Sequence, residues 1–129
     1  ALDLEIMQLA LEADKKLVRL DSRESFQIAA ELFGEDTCSI ARDVFKHSPE
    51  ELTKGSEDFI ETYRRGDEKD FLDEDDKVIF RNGTWSDTLL TELKSGEVFV
   101  TVGVSHLFGP SGVIALAKSN GYQVTRVEE

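Results

Sequence analysis

Residues 97–127, EVFVTVGVSHLFGPSGVIALAKSNGYQVTRV, constrain the fold more than any other stretch of this chain. The run EVFVTV alternates β-branched and apolar residues with a period of two, as a strand does. Gly103 follows, then His106, then a glycine-bearing bend, and Pro110-Ser111-Gly112 can open a helix over SGVIALAKSNG. YQVTRV resumes the strand pattern. Strand, bend, helix and strand in this order predict a βαβ unit with a parallel crossover.

The rest of the chain supports an α/β reading. Leu2, Ile6, Leu9 and Ala13 share one helical face, with Asp3 near its start. KLVRL (16–20) has the pattern of a short buried strand. DSRESFQIAAELFG predicts a helix with Ser22 as N-cap and Gly34 as its stop. TCSIARDVFKH predicts another, ending at Ser48-Pro49, which suits Ncap and N1 of the next. That next helix puts Leu52, Phe59, Ile60 and Tyr63 on one side and ends at Gly66. TWSDTLLTELKSG gives a further helix closed by Gly96. The expected architecture is a single domain over residues 1–129. It is a small, mostly parallel sheet with a helical middle, incomplete beside a full α/β fold.

The 129 residues are enough for one core, and the net charge of −12 works against phosphate-backbone binding, so no nucleic-acid partner is expected. Asp67, Glu68, Asp70, Asp73, Glu74, Asp75 and Asp76 crowd one stretch that reads as a solvated connection. It lacks the glycine and distal glutamate of a calcium loop. No apolar run spans a bilayer. The single cysteine, Cys38, excludes an internal disulfide and reads as a small core residue.

His106 is the candidate for chemistry. Ligands of open α/β sheets gather beyond the carboxyl ends of strands, which is where this imidazole falls. There a histidine can hold a metal or move a proton, Ser105 can donate a hydrogen bond to substrate, and Gly103 can let the backbone bend. The bland alternative is a histidine that only ties down a loop. His47, in the last turn of a helix, has a structural reading.

The segment 98–127 resembles the C-terminal signature of the TraB/GumN family, relatives of the TIKI proteases: a strand, Gly-x-x-His-Leu, a helix, then Gly-Tyr-x-Val. FRNGTWSDTL resembles the family's Arg-Asn before a tryptophan-bearing helix. LDLEIMQLALEADKKLVRLDSRESFQ is similar to the stretch leading into a Glu-x-Gln helix, with Glu24 and Gln27 kept and Asp21 standing where a glutamate is usual. The resemblance implies a metal-dependent, peptidase-like hydrolase of bacterial type. His106 would be a metal ligand and catalytic group, Gly103 its motif glycine, Arg81 a catalytic arginine, and Asn82 a substrate contact beside it. Structural alternatives are an Arg81 that anchors the acidic stretch and a Trp85 that fills the core.

The family's first Gly-x-x-His has no copy among these residues, so the implied divalent metal (manganese, cobalt or zinc) is expected in a longer parent and not tightly bound here. A chain opening at Ala1 on a mid-chain pattern is expected to be an excised piece or a shortened relative. The expected partner is a peptide or protein substrate, with a homodimer as an alternative. A non-catalytic peptide- or protein-binding domain is the competing function. Periplasmic, membrane-tethered and cytoplasmic settings all remain open.

Overall fold

The computed structural model describes residues 2–34, 37–72 and 75–127. Among these described residues six α-helices carry the fold: α1 (Leu2–Glu12), α2 (Arg23–Phe33), α3 (Thr37–Val44), α4 (Pro49–Arg65), α5 (Asp76–Ser95) and α6 (Val113–Ser119), with 3₁₀ turns at Glu68–Phe71 and Val104–His106.

The helix ends follow from local chemistry. Ser22 caps α2 by accepting from the Ser25 backbone N–H, while Ser25 Oγ accepts from the Ser22 N–H. Ser48 and Glu51 close the same reciprocal box on α4, with Pro49 at its first position. Gly66 ends α4 in the left-handed conformation, φ 63°, where its N–H reaches the Thr62 carbonyl. Asp75 starts α5 by accepting from the Lys77 N–H at 2.7 Å.

The central helix is α5. Val78, Asn82, Trp85 and Leu89 form its buried stripe at helical spacing. It packs against α2, against α6 and against the turn at Val104–His106. Ala29 of α2 is buried, and Phe33 meets Phe80 ring to ring at 5.8 Å. A second aromatic chain runs from Tyr63 to Phe71 (6.1 Å) to Phe108 (6.2 Å), tying the end of α4 to the loop after His106.

The expected sheet is absent. No strand occurs among the described residues, and the fold is helical, not α/β with a parallel sheet. A strand exists only through a ladder of backbone hydrogen bonds to a neighbour. Among the described residues, no backbone–backbone hydrogen bond engages 16–20, 97–102 or 123–127. The β-rich composition is present in all three segments, but none pairs with another.

Other expectations shift as well. The helix expected to start at Thr84 begins at Asp76, so Arg81 and Asn82 are helical. Cys38 is exposed on α3 and fills no core. His47 lies beyond α3 and stands 4.0 Å from Glu51, in the first turn of α4. The face of Leu52, Phe59, Ile60 and Tyr63 on α4 is exposed. In the acidic stretch, Arg65 holds Asp67 and Asp70, so part of it is structured. Asp73 and Glu74 lie outside the described residues. No described helix is long and apolar enough to cross a membrane.

Candidate functional site

Three segments distant in sequence bring five side chains together. Asp21 precedes the α2 cap, Arg81 and Asn82 are neighbours on α5 with Trp85 one turn further on, and His106 ends the second 3₁₀ turn. The spacing 81, 82, 85 places the three α5 residues on neighbouring parts of one face, where α2 and the turn can both reach them.

Asn82 and His106 are buried, and the Trp85 ring is almost wholly so. His106 Nδ1 lies 2.8 Å from Asn82 Oδ1. The Asn82 amide points its Nδ2 back at the His106 carbonyl, 3.5 Å away, which assigns Oδ1 to the ring. Nδ1 therefore carries the proton and donates. His106 Nε2 then presents its lone pair to Arg81 Nη1 at 3.2 Å. A ring that accepts at Nε2 is neutral. Trp85 lies against this ring tilted by 43°, at 4.5 Å between centroids, and its own ring centre lies 4.8 Å from the Arg81 guanidinium carbon.

Arg81 is held from its other side. Its Nη2 donates to Asp21 Oδ2 at 2.6 Å and its Nε reaches Oδ1 at 3.4 Å, a two-toothed ion pair. Trp85 Nε1 also donates to Asp21 Oδ1, at 2.8 Å. Burial pushes the Asp21 carboxyl up. The hydrogen bonds from Arg81 and Trp85, with the charge of Arg81, outweigh that and hold it below the ordinary carboxylate range.

The order is thus Asp21–Arg81–His106–Asn82, with Trp85 as a shared wall. Asp21 and Arg81 are partly exposed, whereas the imidazole is inside. A hollow of about 370 Å³ opens beside Asp21, lined also by Arg19, Ser22, Arg23, Thr84 and Thr88. Solvent reaches the site from the carboxylate end.

The arrangement unites Arg81, Asn82 and His106, all named from the sequence. Asn82 bonds the histidine inside the protein. Ser105 is half-buried and makes no hydrogen bond among the described residues. Gly103 has φ −60°, a conformation open to any residue, and a Cβ there would meet only His106 Cδ2 at 3.7 Å. Of the glycines in this bend the tight one is Gly112, where a Cβ would come within 2.4 Å of the Leu107 and Phe108 carbonyl oxygens. Sequence reasoning noted Asp21 without placing it in the site. Arg81 leaves the acidic stretch to Arg65 and pairs with Asp21 instead. Trp85 is core, and its indole N–H also serves the site.

A divalent metal does not fit these donors as they stand. His106 Nε2 faces a cation, and both Asp21 oxygens accept from Arg81, one of them also from Trp85. Among the described residues, no three or more His, Cys, Asp or Glu side chains converge as a metal site requires.

Comparison with known proteins agrees with the C-terminal motif. The model of the TraB/PrgY/gumN family matches residues 1–126, nearly the whole chain, and the chain belongs to that family. No curated protein and no solved structure matches it.

Proposed function

From membership in the TraB/PrgY/gumN family, we propose that this chain provides the arginine- and histidine-bearing half of a hydrolase site and has no hydrolytic activity by itself. One observation carries the reading. Arg81 and His106 stand 3.2 Å apart, each fixed by a third residue, Asp21 for the guanidinium and Asn82 for the ring. A neutral imidazole with a set tautomer can take a proton at Nε2. A guanidinium beside it can hold a substrate carboxylate or a developing oxyanion. Asp21 keeps that guanidinium oriented until such a group exchanges with it. The chain has a single Gly-x-x-His, at Gly103–His106, and its only other histidine is His47. The resemblance implies two such motifs in hydrolytic members, and the donors here do not accommodate the metal it also implies.

Two experiments test this. Calorimetric titration with manganese, cobalt and zinc, followed by assay on a peptide library, is expected to give no sub-micromolar site and no turnover. Turnover that disappears in His106→Gln would overturn the claim that the site is incomplete. In a longer family member carrying both motifs, replacing the residues that match Arg81 and His106 is expected to cost at least about 100-fold in kcat. Full activity in those variants would remove the half-site reading.

A further inference from the structure

The hollow that opens beside Asp21 is lined by polar groups that the cluster itself does not use. Most of them are already engaged. Ser22 Oγ donates to Ser25 Oγ, which donates to the Ser22 carbonyl, so the α2 cap takes both hydroxyl protons. Thr84 Oγ1 donates to the Arg81 carbonyl at 2.8 Å. Both oxygens of Asp21, the acid that lines the hollow, accept from Arg81, and Oδ1 also from Trp85. Arg19, Arg23 and Thr88 remain. No side-chain hydrogen bond or ion pair engages any of these three among the described residues.

The hollow therefore has donors and positive charge left to offer. A cation finds no free ligand there, because the carboxylate is taken, and an apolar group meets Leu20 among otherwise polar residues. Two guanidiniums lining one hollow repel each other, and a bound anion removes that repulsion. The placement is telling in a chain with 27 acids against 15 lysines and arginines, where acidic partners are plentiful. A guanidinium fork also fits a carboxylate or a phosphate, either of which accepts two N–H bonds side by side.

We propose that the hollow beside Asp21 binds an oxyanion group of a peptide, a side-chain carboxylate or a phosphate ester, through Arg19 and Arg23, with the Thr88 hydroxyl as a further donor. The bound group lies at the carboxylate end of the Asp21–Arg81–His106 row, where solvent enters. Calling that peptide a substrate rests on the half-site reading; its binding does not, and the experiment reads binding alone.

The probes are three end-blocked tripeptides: Ala-Glu-Ala, Ala-phosphoserine-Ala and, as the neutral control, Ala-Gln-Ala. The readout is the nitrogen–proton NMR spectrum, which resolves the Nε–H of each arginine and the Thr88 backbone amide. At least one anionic peptide is expected to shift the Arg19, Arg23 and Thr88 signals saturably, with a dissociation constant of about 1 mM, and the control to shift none. The tighter of the two anionic peptides identifies the oxyanion. Arg19→Gln and Arg23→Gln, both at exposed positions, are each expected to weaken binding at least about fivefold with helical circular dichroism unchanged. Arg42→Gln, at an exposed position on α3, is expected to leave binding within about twofold. Absence of shifts from both anionic peptides at about 20 mM would overturn the proposal. So would equal shifts from Ala-Gln-Ala, or an equal loss in Arg42→Gln, which would reduce the binding to attraction by any surface cation.

Discussion

Asp21 is a site residue whose acidity its neighbours change. Its carboxylate accepts from Arg81 and Trp85, and its pKa lies below the ordinary 3.8. A depressed folded-state pKa means that the ionised carboxylate contributes stability at any pH above the unfolded value. That contribution is lost as pH falls through the folded value. Asp21→Asn is therefore expected to unfold more easily at pH 7, by about 2 kcal/mol, and to lose less on acidification than the parent chain. Urea denaturation at pH 7 and pH 3 checks both halves; an equal penalty at the two pH values would contradict them. Trp85→Phe keeps most of the ring while deleting the indole N–H, and is expected to cost about 1 kcal/mol by the same measurement.

At the scale of elements, the helices depend on their caps and α5 on its stripe. Ser48→Ala removes one arm of the α4 capping box and is expected to lower stability by about 1 kcal/mol. No loss in urea denaturation would show that the box contributes nothing. Gly112→Ala pushes a Cβ onto two carbonyl oxygens at 2.4 Å, so the turn that carries His106 must shift. Its expected signature is a changed His106 resonance along with lower stability. These elements also show what the sequence could reveal. Ser22, Ser48-Pro49 and Gly66 mark helix ends because caps are local chemistry, read from neighbours in the chain. KLVRL and EVFVTV show strand composition, but a strand also needs a partner, and composition says nothing about whether one is there. The start of α5 was hidden by Asn82-Gly83, a turn-like pair that the buried face of Val78, Asn82 and Trp85 overrides. Arg81 came from motif resemblance, and His106 first from its place after a strand-like run and then from that resemblance. Asp21 could be placed with them only after α2 met α5, because an ion pair across 60 residues leaves no periodic trace.

For the whole molecule, surface is the governing quantity. The chain exposes 10485 Å², about one and a half times the roughly 6,900 Å² expected of a compact protein of this mass. The buried apolar set among the described residues is short: Ala29, Phe71, Val78, Trp85 and Leu89. A core of this kind leaves the conformational entropy of folding barely offset. The unfolding free energy is expected below about 5 kcal/mol, and a value above about 10 kcal/mol in urea denaturation would contradict so open a surface. The exposed β-rich segments belong to this open surface, and the proposed function rests on the pairing of Arg81 with His106 beneath it. Its most direct test is the nitrogen NMR spectrum of His106 at neutral pH, recorded with and without zinc. The expected spectrum shows a proton on Nδ1 and a lone pair on Nε2, unchanged when zinc is added. A proton on Nε2, or a zinc-induced shift of that nitrogen, would contradict the pairing of Arg81 with His106 on which the site is built.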